Sequence, residues 1–134
     1  MNYLFNAEIY TIDAVTYLFL MTGDSVVVYE VTAGNQLRSK TEYEAQFFGV
    51  SRIHIRSIIK GKGNELLFLD SRRGIVSVTW EGKISQFKTQ KLVYEQPGCY
   101  QFIGNKQGDE VVLTCTLAAK SFFMQKLIRS YSFA

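Results

Sequence analysis

Histidine, proline and cysteine are almost missing from this chain of 134 residues, which holds one, one and two of them. With His54 as the sole histidine, any Ser-His-Asp, Cys-His or multi-histidine metal arrangement within one chain hangs on that residue. No second histidine and no C-x-x-C pair stands at ligand spacing, so no metal set emerges and no cofactor is expected. No nucleophile, base and orienting group can be assembled either, and the chain is not expected to be an enzyme. Cys99 and Cys115 are too few for a disulfide framework. Both sit in apolar, strand-like surroundings, where a free cysteine behaves as a small buried hydrophobe; a disulfide between them is the alternative. The single proline, with no Ser/Gly-rich or Pro-rich tract, argues against a disordered linker or tail. Long apolar runs are missing as well. Ala14 to Met21, the most apolar stretch, falls far short of the ~20 residues that span a bilayer. Met1 to Glu8 lacks a basic region followed by an apolar run, so a secretory signal is not expected and the expected location is cytoplasmic. The net charge of +3 is too small to require a nucleic acid.

Aromatic and β-branched residues are abundant. Ten Phe and eight Tyr, with many Val and Ile, fit a pleated, half-buried surface and predict strands. The length suits one compact unit with a sizeable core, so residues 1–134 are expected to form a single all-β domain.

A pattern of apolar strand, tight polar turn and second apolar strand recurs three times, about 46 to 49 residues apart. It reads Leu18-Phe19-Leu20 then Gly23-Asp24-Ser25-Val26-Val27-Val28-Tyr29; next Leu67-Phe68-Leu69-Asp70 then Gly74-Ile75-Val76-Ser77-Val78; next Val111-Val112-Leu113 then Ser121-Phe122-Phe123-Met124. First strands are placed at 7–12, 53–59 and 99–104, second strands at 17–21, 66–69 and 111–116, and third strands at 26–31, 75–80 and 122–128. A more polar fourth strand fits 36–43 and 84–89, with a shortened counterpart at 129–133. The repeats thus run over about 7–43, 53–89 and 99–133. Ser71-Arg72-Arg73-Gly74 joins two strands of the second copy, with glycine supplying a positive φ.

Gly63 to Trp80 resembles the middle of a β-propeller blade of the WD40 or NHL type, in which an apolar strand, an Asp-Ser/Gly turn and a Gly-x-Val-x-Val strand form the common core. Leu18 to Val31 is similar to it. Leu117-Ala118-Ala119-Lys120 departs from that turn in the third copy, and Trp80 is followed by Glu81, so the Trp-Asp dipeptide of WD40 repeats is absent. The resemblance implies three four-stranded blade-like repeats, a partial propeller. Propellers close with about four to eight blades, and open edges invite association. The expected function is therefore a protein–protein interaction or assembly module, completed by a second copy or by another subunit. The alternative is a single closed antiparallel barrel of about ten strands carrying a small apolar ligand, bound through Arg52 and Arg56.

Charge is uneven along the chain. Residues 1–51 sum to −4 and residues 52–73 to +4, which can steer head-to-tail association. A strand at 53–59 puts Arg52, His54 and Arg56 on one face and Ile53, Ile55 and Ser57 on the other. The cationic row can grip a carboxylate, a phosphate or an acidic peptide; its plain alternative is a polar face toward solvent or a central channel. The candidate interaction surface comprises Arg52, His54, Arg56, Arg72, Arg73, Tyr131 and Phe133. Gly61-Lys62-Gly63-Asn64 lacks the order of a phosphate loop and reads as a hairpin turn. Asp70 and Asp109-Glu110 read as turn and strand-start residues, not as paired catalytic carboxylates. Phe47-Phe48, Phe122-Phe123 and Tyr131 to Phe133 read as packing aromatics before they read as a stacking surface for nucleic acid.

Overall fold

The computed structural model describes residues 4–43, 53–102, 111–117 and 122–128. Arg52, Tyr131, Phe133, the Phe47-Phe48 pair, the loop at 104–109 and the expected last strand at 129–133 lie outside them. Eleven strands occupy the described residues. The first sheet orders β1 (Asn6–Ile12), β2 (Val15–Met21), β3 (Val26–Thr32) and β4 (Gln36–Tyr43) side by side. The second orders β5 (Ile55–Lys60), β6 (Glu65–Asp70), β7 (Gly74–Glu81) and β8 (Gln86–Glu95). The third holds β9 (Cys99–Phe102), β10 (Val111–Leu117) and β11 (Phe122–Ile128). Every neighbouring pair is antiparallel. The strands fall into separate sheets, which rules out the single closed barrel.

The second sheet is covered on both faces. Every residue of β6 is buried, and alternation sends its side chains in opposite directions. Leu66 and Phe68 join Val76, Val78, Trp80 and Phe87 in a core shared with Tyr17, Phe19, Met21, Val26 and Val28 of the first sheet. Leu67 and Leu69, with Ile59 and Ile75, form a second core with Cys99 and Phe102 of the third sheet. Aromatic rings carry much of the first core: Trp80 lies 4.9 Å from Phe87 and 5.3 Å from Tyr17, centroid to centroid.

Cys99 is fully buried and disulfide-bonded, which corrects the expectation of free thiols. The one other cysteine in the sequence is Cys115, whose backbone stands opposite Cys99 in the β9–β10 ladder. Disulfides are rare in the cytosol, so this bond and a cytoplasmic location pull in opposite directions. No helix among the described residues is long and apolar enough to cross a membrane.

Candidate functional site

The first strand of each sheet is an edge strand, and the contacts between sheets gather there: β1 and β2 touch β5, and β9 touches β5 and β6. Side chains tie these edges together. The Tyr10 hydroxyl donates to the Ile58 carbonyl at 2.7 Å, the Asn6 amide to the Arg56 carbonyl at 3.2 Å, and the Phe102 backbone N–H to Ser57 Oγ at 3.3 Å. Between the edges opens a cleft of about 410 Å³ lined by Phe5, Asn6, Arg56, Tyr100 and Gln101.

Arg56 reaches this cleft because β5 is irregular. Ile55 pairs with Asp70 and Ser57 with Leu69, so Arg56 is the extra residue of a β-bulge. A bulge turns its unpaired residue out of the regular alternation. Downstream of it the parity of the strand is reversed, which corrects the expected grouping of Ser57 with Ile53 and Ile55. Those two isoleucines enter the first core, whereas Ser57, opposite Leu69, bonds the third sheet. The Asn6 amide satisfies the carbonyl that the bulge removes from the ladder.

The guanidinium is closely held. Nη1 donates to the carbonyls of Thr22 and Gly23 at 3.3 and 3.4 Å, and to that of Ile55 at 3.4 Å. Nη2 lies 2.9 Å from His54 Nδ1, and since arginine only donates, the imidazole proton resides on Nε2. The guanidinium carbon sits 3.9 Å above the Phe5 ring centroid, a cation–π contact. Burial lowers the Arg56 pKa, the positive charge of Arg72 adds to that, and Asp70 and Tyr100 work against it.

The remaining sequence candidates divide. Asp70 is fully buried; it accepts from the backbone N–H of Arg72 at 2.9 Å and of His54 at 3.3 Å, and forms an ion pair with Arg73. It organises the β6–β7 turn, and Arg73 is committed to it. Thus His54, Arg56 and Arg72 lie near one another, while Arg73 serves the turn. Gly61 to Asn64 closes the β5–β6 hairpin, with Gly61 N–H donating to Glu65 O at 2.9 Å and Glu65 N–H to Lys62 O at 2.9 Å. Phe5, Asn6, Tyr100 and Gln101 carried no periodic signal, because the bulge that gathers them around Arg56 leaves no mark in the hydrophobic pattern.

A second cleft, of about 460 Å³, opens beside Tyr17, Trp80 and Gly82. Trp80 Nε1 is buried there with no acceptor among the described residues. Its rim carries Asp13, Glu30 and Glu81 against Lys83, and Glu30 is already paired with Arg38 at 2.6 Å, so it selects neither sign of charge strongly. Among the described residues no group of three or more His, Cys, Asp or Glu is placed to hold a metal ion.

The outer face of the first sheet is largely apolar beside the Thr11–Thr16 hydroxyl pair, and its residues belong to neither core among the described residues. Register places Ile9, Leu18 and Tyr29 abreast, with Leu20 and Val27 on one side and Val31 and Leu37 on the other. Ile9 is 61% and Leu37 53% exposed, and the residues between them are half-buried. In comparisons with known proteins, no family model, no curated protein and no solved structure matches this chain.

Proposed function

We propose that the chain is a non-enzymatic assembly module, three blade-like sheets of a partial β-propeller that a second copy of the chain completes. The largely apolar outer face of the first sheet carries this reading. The second sheet has apolar partners on both of its faces, and the first, among the described residues, has one on its inner face alone. A face bearing Ile9, Leu18, Leu20, Val27, Tyr29, Val31 and Leu37 needs a neighbour of the same kind. Stacking one more sheet there repeats the packing already made twice within the chain, and the same chain supplies sheets of that shape. The acidic first third and the basic middle of the sequence favour such head-to-tail contact.

Light scattering on the purified chain tests this. The wild type is expected at about twice the 15.3 kDa chain mass. The Ile9→Lys/Leu37→Lys double variant, altered at two exposed positions, is expected at the monomer mass with its circular dichroism unchanged. A wild-type monomer at every attainable concentration overturns the second copy and leaves another subunit as the occupant.

A further inference from the structure

We propose that the cleft where β1, β5 and β9 meet is a binding site for a carboxylate on a small ligand with an apolar body, and that Arg56 is its principal contact. The site lies within one chain and stands apart from the assembly reading. The bulge directs Arg56 out of its ladder, and a held cation is the more effective for being held, since little rotamer freedom remains to be lost on binding.

The inventory of protons leads to the ligand. Nη1 spends both of its N–H groups on backbone carbonyls and Nη2 spends one on His54. The Nε–H and one Nη2 N–H have no partner in these bonds. Two donors on one planar group match the two oxygens of a carboxylate. No described carboxylate forms an ion pair with Arg56, and Asp70, whose charge it feels, is engaged by Arg73. Among the described residues the partly buried cation is therefore short of an anion. Burial lowers its hold on the proton, and a bound carboxylate reverses that.

The rest of the lining chooses among anions. Asn6, Tyr100 and Gln101 add neutral polar groups, and among the described residues no second cation lines the cleft to meet a third oxygen, as a phosphate demands. Phe5 is 53% and Tyr100 48% exposed, so two aromatic surfaces stand ready beside the guanidinium. The volume of about 410 Å³ falls in the range of small-molecule sites, roughly 300–1,000 Å³.

Calorimetric titration with benzoate, with its neutral counterpart benzamide and with inorganic phosphate tests the site. Benzoate is expected to bind saturably, with benzamide and phosphate weaker by about tenfold or more. Arg56→Lys keeps the charge and loses the fork, and is expected to weaken benzoate by about tenfold. Because Arg56 also bonds the Thr22–Gly23 turn, that variant can fail to fold, so Tyr100→Ala, at an exposed position, provides the second arm. It is expected to weaken benzoate several-fold with unchanged thermal stability. Absence of saturable benzoate binding, benzamide or phosphate binding as tightly as benzoate, or Tyr100→Ala binding like the wild type overturns the proposal. The association state of the protein does not enter any of these outcomes.

Discussion

The Tyr10 hydroxyl on β1 donates to the backbone carbonyl of Ile58 on β5 at 2.7 Å, so this side chain helps join the inner edges of the first two sheets. Main-chain ladders hold each sheet together internally; between sheets, side chains of this kind set the relative position of the edges around the Arg56 cleft. Burial, and then the nearby Glu8 carboxylate, hold the Tyr10 hydroxyl protonated far above the usual tyrosine range, which keeps it a donor.

Tyr10→Phe removes this bond and leaves the Ile58 carbonyl without its side-chain donor. The expected loss is about 1 kcal/mol of folding stability. Equilibrium urea unfolding monitored at Trp80 measures it. An unchanged midpoint shows that the bond contributes nothing net.

Asp70→Ala strips the turn between β6 and β7 of two backbone partners and of the Arg73 ion pair. Removing one member of a buried pair typically costs about 3–5 kcal/mol. Thermal unfolding is expected to show a large fall in midpoint. If the loss is no greater than that of Tyr10→Phe, the turn does not depend on the carboxylate.

Gly74 has a φ of +126°, and a Cβ there would collide with the Tyr94 carbonyl oxygen and stand 2.7 Å from the Gln96 nitrogen. Gly74→Ala therefore brings both strain and a clash with backbone, which cannot rotate away. The expected destabilisation exceeds about 1 kcal/mol. Gly34→Ala makes a comparison, because at φ +80° it shares the strain but has nothing within 4 Å of the added carbon. Equal effects in denaturant show that the contact at Gly74 is unimportant.

Glu8 lies on the same face as Tyr10, and burial raises its pKa, with the Tyr10 hydroxyl opposing. A carboxyl whose folded pKa is raised binds its proton more tightly in the folded state. Its contribution is therefore favourable in acid and is lost as pH rises through the interval between the unfolded and folded values. Glu8→Gln does not titrate, so it is expected to match the wild type in acid and exceed it at neutral pH, by less than about 1 kcal/mol once solvent screening is allowed for. Unfolding midpoints collected against pH check this; parallel curves contradict the assignment.

Much of the strand order was legible in residues taken a few at a time. Val26 to Val28 beside Gly23-Asp24-Ser25, and Ile75 to Val78 beside Gly74, mark strands and turns through local sterics and alternation, and β3 and β7 lie where those residues place them. Of the candidate site, Arg56 was legible as a cation on the first strand of a repeat. Its neighbours were not, because Phe5 and Tyr100 are distant in sequence and their meeting depends on how three sheets stack.

By itself, then, the sequence determined an all-β chain of repeated hairpins, since strand periodicity and turn chemistry act between near neighbours. The tertiary structure alone decided which faces are covered, that a bulge at Arg56 reverses the parity of β5, and that Asp70 belongs to Arg73 and not to the cleft. Face coverage rests on contacts between separate sheets. The bulge rests on a one-residue backbone shift within the β5–β6 ladder, which redirects every side chain after it, and the Asp70–Arg73 pair on the geometry of one turn.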